Sequence, residues 1–422
     1  MESPIFDVIV VGGGPAGMLA AGRAGELGAK VLLVEKNERL GKKLSITGGR
    51  RCNITNAEFD NHLFLDNFPE TKGFLFSPFS QFNVQSTFDF FTDRGLPLIV
   101  EDRKRAFPKS EKAEDVCKVL DAYIRESGNV EVSLNEGVAN AIIKDGKVIG
   151  VRTSFGDRYG KTIIFATGGY AAPETGSTGE GIKMLAKLGH KVAEPNPNLS
   201  PLRTDVDWVH RLSGVTVEEM TIRFKQNDKT VFKGTGRLLF THFGVSGPLI
   251  INFSHRVKEL LKTGLVTAVV DLFPNVNEGG LDSFLLDLFK TQNKKQLKNV
   301  LADLLPNKLA EQILQFPGMD FGGVPVNSVS RDDRKKLGVL LKNLSFGIHG
   351  IMGLAWSIAA DGGADPKEVN FKTMQSKIKP NIYLVGDTID INRPSGGFSL
   401  QLCWTTGWIA GTHAATFAAN EE

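Results

Sequence analysis

Residues 6 to 35 of the 422-residue chain form an apolar run, a glycine-rich turn, a helical pattern and a second apolar run. Both apolar runs, residues 6–11 and 31–34, are short and β-branched, as buried parallel strands are. Gly12, Gly14 and Gly17 form a GxGxxG turn at the start of the helix, and Glu35 closes the second strand at the spacing of the dinucleotide fingerprint. The segment predicts a Rossmann-like βαβ unit and therefore an α/β fold.

Each residue of this fingerprint has a physical role. Gly12 permits the tight turn, Gly14 lets the backbone approach a pyrophosphate, and Gly17 lets the helix pack closely on the strand. The helix N-terminus offers free N–H groups and a partial positive charge to phosphates. Glu35 can accept hydrogen bonds from ribose hydroxyls. The alternative interpretation is a glycine-rich turn of some other α/β domain, which the acid at this distance disfavours.

Composition excludes several classes of protein. The chain has 50 Lys and Arg against 47 Asp and Glu, a net charge of +3, which gives no electrostatic footprint for nucleic acid. No apolar run approaches the roughly 20 residues of a membrane helix. Three widely separated cysteines without a CxxC argue against disulfides and zinc, and no metal motif is present. We expect a cytoplasmic protein without a metal site, bound to neither membrane nor nucleic acid.

Further stretches resemble, in order along the chain, motifs of the HI0933-like family of FAD-binding flavoproteins. The stretches are GKKLSITGGRRCNITN at 41–56, IIFATGG at 163–169, TGSTGEG at 175–181, LFTHFGVSGP at 239–248, MQSK at 374–377, YLVGD at 383–387 and SGGF at 395–398. Arg50 departs from the family pattern, which has a glycine there, and Asp387 replaces a glutamate. The resemblance implies a Rossmann-like FAD-binding domain of glutathione-reductase type, interrupted by an inserted β-barrel domain that carries a small helical subdomain.

The resemblance also implies how the chain is divided. We expect the FAD-binding domain in two segments, 1–193 and 345–422, and the inserted substrate domain at 194–344. The stretch EPNPN at 194–198 marks the start of the insertion, since clustered Pro and Asn favour turns. Leucines at helical spacing place the helical subdomain at about 277–318.

Residues that match the motifs are expected to bind FAD. They are Gly12, Gly14, Pro15, Ala16, Gly17, Glu35, Lys36, Lys43, Gly49, Arg51, Cys52, Asn53, Val138, Ala166, Thr167, Gly168, Gly386, Asp387, Gly397, Phe398 and Ser399. By the resemblance, Val138 would lay its backbone against adenine and Asp387 would bind the ribityl or pyrophosphate part. The helix that begins near Ser399 would direct its N-terminus at the flavin ring, where a partial positive charge stabilises the reduced anion.

Three residues are candidates for chemistry. Cys52 follows two arginines, which would lower the pKa of its thiol and favour the thiolate, but without a partner cysteine we expect it to pack beside the flavin instead. His242 is the candidate proton donor or acceptor, because an imidazole titrates near neutral pH; alternatively it only bonds the backbone of its turn. His349 is a weaker candidate of the same kind. The catalytic acid or base thus stays open.

The sequence favours an FAD-dependent oxidoreductase that transfers hydride between flavin and a small organic substrate. Because no second GxGxxG unit follows a strand, NAD(P)H would dock only transiently as the reductant. NAD(P)H-fed reduction of a conjugated double bond is the first expectation. A flavin amine oxidase or substrate dehydrogenase, an RNA-modifying flavoprotein and a non-catalytic FAD-binding sensor are the alternatives. The substrate and the oligomeric state are left open.

Overall fold

A computed structural model describes residues 5–353, 356–357 and 359–420. The chain divides into two compact units, Met1–Asn196 with Ala359–Glu422, and Pro197–Ile358. The second unit ends at residue 358, whereas the sequence predicts its end at residue 344. Strand Leu344–Ile348 pairs with Val266–Asp271, so the segment after residue 344 belongs to the sheet of the second unit.

The elements of the described residues are numbered in chain order. The strands are β1 (Ile5–Val11), β2 (Val31–Val34), β3 (Thr55–Asn56), β4 (Leu98–Glu101), β5 (Arg105–Pro108), β6 (Val130–Ser133), β7 (Val138–Lys144), β8 (Lys147–Thr153), β9 (Gly156–Phe165), β10 (Val192–Asn198), β11 (Leu202–Arg203), β12 (Thr216–Gln226), β13 (Lys229–Thr241), β14 (Gly244–Ser246), β15 (Val266–Asp271), β16 (Leu344–Ile348), β17 (Gly350–Ile351), β18 (Ala359–Ala364), β19 (Val369–Asn370), β20 (Gln375–Ser376) and β21 (Ile382–Leu384). The helices are α1 (Pro15–Glu26), α2 (Thr47–Arg50), α3 (Asn61–Leu65), α4 (Lys72–Gln81), α5 (Val84–Asp93), α6 (Ala113–Glu126), α7 (Glu180–Lys187), α8 (Asp207–Arg211), α9 (Pro248–Leu261), α10 (Glu278–Thr291), α11 (Leu297–Leu304), α12 (Asn307–Ile313), α13 (Arg331–Lys342) and α14 (Phe398–Ala419).

The first unit is built on a central sheet in the order β19-β20-β21-β9-β1-β2-β6, with the β7–β8 hairpin attached to β9. Strands β21, β9, β1, β2 and β6 run parallel to one another, whereas β20 and β8 pair antiparallel with β21 and β9. In the middle of this sheet the runs at 8–11 in β1, 31–34 in β2, 163–165 in β9 and 382–384 in β21 are apolar without alternation, as expected for strands that are covered on both faces. In β1 and β2, each residue from Val8 to Val11 and from Val31 to Val34 exposes at most 4% of its surface. The predicted βαβ unit is therefore present at the centre of the sheet.

The two ends of the chain meet in the packing of α14 on α1. A Cβ added at Gly407 would lie 2.4 Å from the carbonyl oxygen of Ala16, and one added at Gly411 would lie 2.4 Å from that of Ala20. Small residues four apart on both helices thus let the two backbones approach closely. This contact joins the last helix to the helix of the glycine fingerprint.

The second unit contains a seven-stranded sheet in the order β16-β15-β12-β13-β14-β11-β17. Its β12–β13 hairpin turns at Asn227 and Asp228, which have φ of 50° and 60°, as the turns of two-residue hairpins require. Helices α10, α11 and α12 occupy the range expected to be helical, and their buried leucines join the same core as the sheet. No pairing among the described strands joins β16 to β17, so closure of this sheet into a barrel stays a prediction.

The described residues were expected to contain neither a membrane-spanning helix nor a metal site. None of the helices found there is both long and apolar enough to span a membrane. Within the same residues, no group of three or more His, Cys, Asp or Glu side chains is arranged to hold a metal ion.

Candidate FAD site

The glycine turn after β1 is shaped by backbone contacts at two positions and is open at a third. Gly12 has φ of 106°, and a Cβ there would lie 2.5 Å from the carbonyl oxygen of Ala166. At Gly17 a Cβ would lie 1.9 Å from the carbonyl oxygen of Gly12. By contrast, a Cβ at Gly14 would meet no atom within 4 Å. Gly12 and Gly17 are thus required by packing, whereas Gly14 leaves room for a ligand.

Helix α1 begins at this open position. Pro15 occupies its first turn, no side chain caps it, and no acidic residue lies in that turn. The first N–H groups of the helix and its partial positive charge are therefore available to an anion beside Gly14. These features fit the pyrophosphate of a dinucleotide, as the fingerprint predicts.

Glu35, predicted to bind ribose, is held against the glycine turn. Its Oε2 accepts a hydrogen bond of 2.7 Å from the backbone N–H of Gly13. Its Oε1 accepts from the backbone N–H and the side-chain Nδ2 of Asn37, at 2.8 and 2.6 Å. Oε1 thus accepts two hydrogen bonds, whereas Oε2 accepts one and retains a lone pair for a ribose hydroxyl. Sequence reasoning missed Asn37, which orients this carboxylate and also donates to the carbonyl of Thr175 at 3.1 Å.

A cavity of about 450 Å³ lies between Lys36, which follows Glu35 in the chain, the start of β7 and helix α7. Lys36, Val138, Glu180 and Lys183 are among its lining residues. Lys36 Nζ donates to Thr178 Oγ1 at 3.0 Å and to Glu180 Oε2 at 2.9 Å. The structure thus brings together Lys36 and Val138, which were predicted separately, in a space suited to the adenosine end of the cofactor.

The strand-end residues Ala166, Thr167 and Gly168 lie next to the glycine turn. The Ala166 N–H donates to the carbonyl of Val11 at 2.9 Å, and Gly168 has φ of 70°. Thr167 Oγ1 is buried and has no hydrogen-bond partner among the residues that the structure describes. Because a buried hydroxyl without a partner is costly, this atom is a fit for a ligand at the same edge of the sheet.

The loop that carries the RCN motif contains a run of left-handed residues. Gly48, Gly49, Arg50 and Cys52 have φ of 57°, 68°, 71° and 62°. Arg50 stands where the family has glycine, and its backbone keeps the conformation that glycine adopts most easily. A non-glycine residue in this region is strained by about 1 kcal/mol or more. A Cβ at Gly49 would meet nothing within 4 Å, so the loop is open there.

Arg51 is occupied by protein groups. Its guanidinium forms ion pairs with Glu101 and, at 2.6 Å, with Glu111, and it lies 4.2 Å from the centre of the Phe107 ring. The hydrogen bond with Glu101 raises the pKa of Arg51. The predicted contact of Arg51 with FAD therefore stays a prediction, while its role in joining this loop to β4 and β5 is visible.

Cys52 is a packing residue rather than a thiolate, and its expected contact with the flavin stays a prediction. Its side chain is fully buried, and burial raises the pKa of the thiol to about 12. The neighbouring Arg51 does not lower it because its guanidinium is neutralised by two carboxylates. Burial likewise raises the pKa of Cys117 to about 11 and that of Cys403 to about 12.

Asn53 joins the loop to the start of α14. With the amide oriented to match its partners, Nδ2 donates to the carbonyls of Ala106 and Thr55, at 3.2 and 3.0 Å. Its Oδ1 accepts from the N–H of Gly397 at 3.0 Å. Asn53 thus positions the first turn of the last helix.

Asp387 lies at the centre of a charged cluster that the sequence showed only in part. Its carboxylate forms an ion pair with Arg393, and Lys43 Nζ lies 3.8 Å from its other oxygen. Burial would raise the pKa of Asp387, but the charges of Arg393 and Lys43 outweigh it and hold this pKa below the ordinary value. Two cations thus surround one carboxylate.

Arg393 was missed by sequence reasoning. Only 5% of its side chain is exposed, and it also donates to the carbonyl of Ile391 and to Ser399 Oγ, the latter at 3.1 Å. The available signal was a single arginine between the Gly386-Asp387 motif and the glycines that precede α14. It links Asp387 to the first turn of α14.

The residues at the start of α14 have different roles. Gly397 has φ of 100°, and a Cβ there would lie 2.2 Å from the carbonyl carbon of Thr55, so only glycine fits. No side chain caps the helix. The Phe398 ring packs at 4.9 Å from Phe64 and 6.0 Å from Phe68, so its side chain belongs to the core, and only its backbone is placed to meet a cofactor.

His242 lies in the second unit and is exposed. Its ring is 4.9 Å from that of Phe243 and 6.1 Å from that of Trp356. His349 Nδ1 accepts a hydrogen bond of 3.1 Å from the N–H of Asp205, which gives it a structural role in that turn. Within the described part of the chain, His242 has no hydrogen-bond partner, so neither alternative for its role is favoured.

Comparison with known proteins places these features in a family. The family described as HI0933-like protein Rossmann domain matches residues 6–413. The chain is 27% identical over 412 residues to the ribosomal RNA dihydrouridine synthase of Escherichia coli K12, with 96% of each chain covered. It is 26% identical over 410 residues to the 3-dehydro-bile acid delta(4,6)-reductase of Clostridium scindens, covering 96% of this chain and 98% of the relative.

Solved structures share the fold at lower identity. The 3-ketosteroid delta1-dehydrogenase of Sterolibacterium denitrificans aligns with a TM-score of 0.56 and 13% identity, over 98% of this chain and all of that one. A flavocytochrome c3 fumarate reductase aligns with a TM-score of 0.51 and 16% identity, over 99% of this chain and 79% of that one. The expected α/β fold with a Rossmann-like domain is thus confirmed.

Proposed function

The chain belongs to the HI0933-like family of FAD-binding oxidoreductases, and on this premise we propose that it reduces a carbon–carbon double bond conjugated with a carbonyl, with NAD(P)H as the source of electrons. The observation that carries the proposal is that two differently named relatives match nearly the whole chain. Dihydrouridine arises by saturating the ring double bond of uridine next to a carbonyl, and a delta(4,6)-reductase of a 3-oxo compound saturates double bonds in conjugation with that carbonyl. The two names describe one type of reaction.

The described residues fit FAD in an extended form. Glu35 and the cavity beside Val138 would hold the adenosine, Gly14 with the start of α1 the pyrophosphate, and Asp387 the ribityl chain. When bound, FAD supplies hydride transfer, while the protein supplies orientation and electrostatics. The open space at Gly14 and the unpaired Thr167 hydroxyl support this assignment.

The cluster around Asp387 suits a site that must hold negative charge. The cluster holds two positive charges, on Lys43 and Arg393, against the one negative charge of Asp387. The side chain of Arg393 is almost completely buried. The uncapped start of α14 adds its partial positive charge to theirs. In a buried site such a surplus needs an anion to balance it, since charge away from water is costly.

Substitution of Gly14 tests the cofactor assignment. Gly14→Val should fold normally, because its φ is −80° and its Cβ meets nothing, but the side chain would fill the space left for the pyrophosphate. Gly73→Val in α4, where a Cβ also meets nothing, is the matched control. The variant should purify without FAD while the control keeps it. A folded Gly14→Val protein with stoichiometric FAD would refute the assignment.

The reaction is tested by mixing the purified protein anaerobically with NADH or NADPH and following the flavin absorbance. Rapid bleaching is expected, followed by recovery of the absorbance on addition of a conjugated enone. Persistent oxidised flavin would refute feeding by NAD(P)H; bleaching by an amine or a saturated ketone instead would indicate an oxidase or substrate dehydrogenase. Flavin that no donor reduces would indicate a non-catalytic sensor.

A small-molecule enone is the first candidate substrate, and the match to the 3-dehydro-bile acid reductase supports it. Uridine in RNA is the second candidate, and the match to the dihydrouridine synthases of Escherichia coli and Haemophilus influenzae, each 27% identical, supports that one. Reoxidation of the reduced protein by an enone but not by uridine-containing RNA would decide for the first.

His242 is the candidate proton donor for either substrate. If it protonates the substrate, His242→Gln should slow reoxidation by the substrate and leave reduction by NAD(P)H unchanged. His255→Gln, on α9 of the same unit, is the control. Equal rates of reoxidation in both variants would remove His242 from the mechanism.

A further inference from the structure

The net charge of the chain is divided unevenly between its two units. The second unit, Pro197–Ile358, carries 20 Lys and Arg against 15 Asp and Glu, whereas the first carries 30 against 32. The near balance of the whole chain therefore conceals a basic unit. The near-neutral charge of the whole chain therefore does not exclude a nucleic-acid partner for this unit.

Part of this positive charge lies on one face of the β12–β13 hairpin. Side chains alternate along both strands, and Ile222, Phe224 and Phe232 on one face are buried in the core. The opposite face, which we call the basic face, carries Arg223, Lys225 and Lys233 together with Thr221 and Thr235. All five side chains are exposed or half-buried.

The cations of the basic face lie next to one another across the strands. Arg223 is directly opposite Lys233, and Thr221 is opposite Thr235. Lys225 lies two residues along β12 from Arg223, so it points to the same side. Like charges directly opposite each other destabilise a sheet. Such an arrangement is stabilised when an anion binds across both strands.

No carboxylate neutralises these three cations among the described residues. Lys225 and Lys233 form no ion pair or side-chain hydrogen bond there. Arg223 donates to the carbonyl of Lys342 at 2.9 Å and to Asn343 Oδ1 at 2.8 Å, and its buried Nε has no partner. On the adjoining strand, Asp271 is taken by Lys342 at 2.8 Å.

The acidic residues of the same hairpin do not cancel the basic face. Glu218 lies 3.5 Å from Arg237 and is balanced by it. Asp228 lies in the turn, where Lys229 follows it, and Glu219 precedes the basic face on β12. The positive charge of Arg223, Lys225 and Lys233 thus remains exposed to a partner.

We propose that the basic face binds the phosphate backbone of RNA. Lysine and arginine with threonine hydroxyls are the side chains that contact phosphate and sugar oxygens. RNA is favoured over other polyanions because two relatives that match nearly the whole chain act, by name, on ribosomal RNA. The inference goes beyond the proposed reaction, since binding here requires neither FAD nor turnover.

The test measures the binding of a fluorescein-labelled, uridine-rich single-stranded RNA by anisotropy over a range of salt concentrations. The variant is Lys225→Gln with Lys233→Gln, both at sites without a side-chain partner. The control is Lys294→Gln with Lys298→Gln, two exposed lysines of the same unit, which makes the same change in charge. Arg223 is left intact because its contacts with Lys342 and Asn343 support the sheet.

If each lysine contacts a phosphate, the slope of log affinity against log salt falls by about 1.4, or about 0.7 per contact. Affinity near 0.1 M salt then falls about 25-fold, and the control retains the wild-type values. Failure of the wild-type protein to bind RNA, or an equal loss in both double variants, would overturn the proposal. Binding to anionic lipid vesicles but not to RNA would overturn it as well.

Flavin content and reduction by NAD(P)H are measured on the same preparations. They should be unchanged in both double variants, because neither pair of lysines lies in the FAD-binding unit. Loss of RNA binding in the Lys225→Gln, Lys233→Gln variant with intact flavin chemistry therefore supports RNA binding at the basic face. A wild-type protein that binds RNA but whose flavin NAD(P)H does not reduce contradicts only the proposed reaction.

Discussion

The contact between α1 and α14 predicts opposite effects for the same substitution at two helical glycines. Gly411→Ala would place a Cβ 2.4 Å from the carbonyl oxygen of Ala20, closer than the 3.0 Å that real Cβ atoms respect. The helices must therefore separate. Gly338→Ala in α13 would meet no atom within 4 Å. It should gain the helix propensity of alanine, about 0.5–1 kcal/mol, with no steric cost.

Overpacking of this kind costs about 1–3 kcal/mol, so we expect Gly411→Ala to lower the free energy of unfolding and Gly338→Ala to raise it. A domain of this size shifts its Tm by about 2–4 °C per kcal/mol. Because the two units can unfold separately, thermal unfolding is followed both by release of flavin fluorescence, which reports the first unit, and by far-ultraviolet circular dichroism. A Gly411→Ala protein that is as stable as the wild type, or that changes as Gly338→Ala does, would refute the reasoning.

Three further predictions concern the cysteines, the charge of Arg393 and the titration of His190. Because burial raises the pKa of all three cysteines, a thiol reagent at pH 8 should modify none in the folded protein and all three after denaturation; one fast thiol in the folded protein would contradict this. Arg393→Gln should retain FAD but lower its midpoint potential by about 30 mV, a tenfold loss of preference for the reduced form, while exposed Arg152→Gln leaves it unchanged. Burial lowers the pKa of His190 against the opposing effect of Glu368, so its contribution to stability is present above pH 6.5 and is lost as the pH falls through the lower folded value. His190→Gln should make the denaturation midpoint depend less on pH in that window. An unchanged dependence on pH would exclude His190 as its source.

The parts of the site that follow from local sequence were predictable. Gly12, Gly14, Gly17 and Glu35 lie in one continuous βαβ unit, where the turn, the helix start and the strand end are all set by neighbours in the chain. The β7–β8 hairpin, which turns at Asp145-Gly146, is a local feature of the same kind.

The parts that depend on distant residues were not predictable in the same way. Arg393 acts through Asp387 and Ser399, and its burial follows only from how the carboxyl-terminal segment folds over the sheet. The core position of Phe398 depends on Phe64 and Phe68, which are far away in sequence. Pairing of β16 with β15, which displaced the second boundary, is likewise a long-range event.

The division of the first unit between the two ends of the chain has a consequence for its synthesis. A ribosome delivers β1, α1, β2 and β9 long before β21 and α14, and domains tend to fold as units while the chain emerges. Until then, β9 lacks its neighbour β21 and the close-packed surface of α1 has no cover. The second unit, by contrast, is one uninterrupted stretch. During synthesis the glycine fingerprint is therefore complete in sequence before its sheet and helix contacts are complete, and the apolar surface exposed at that stage is prone to aggregation.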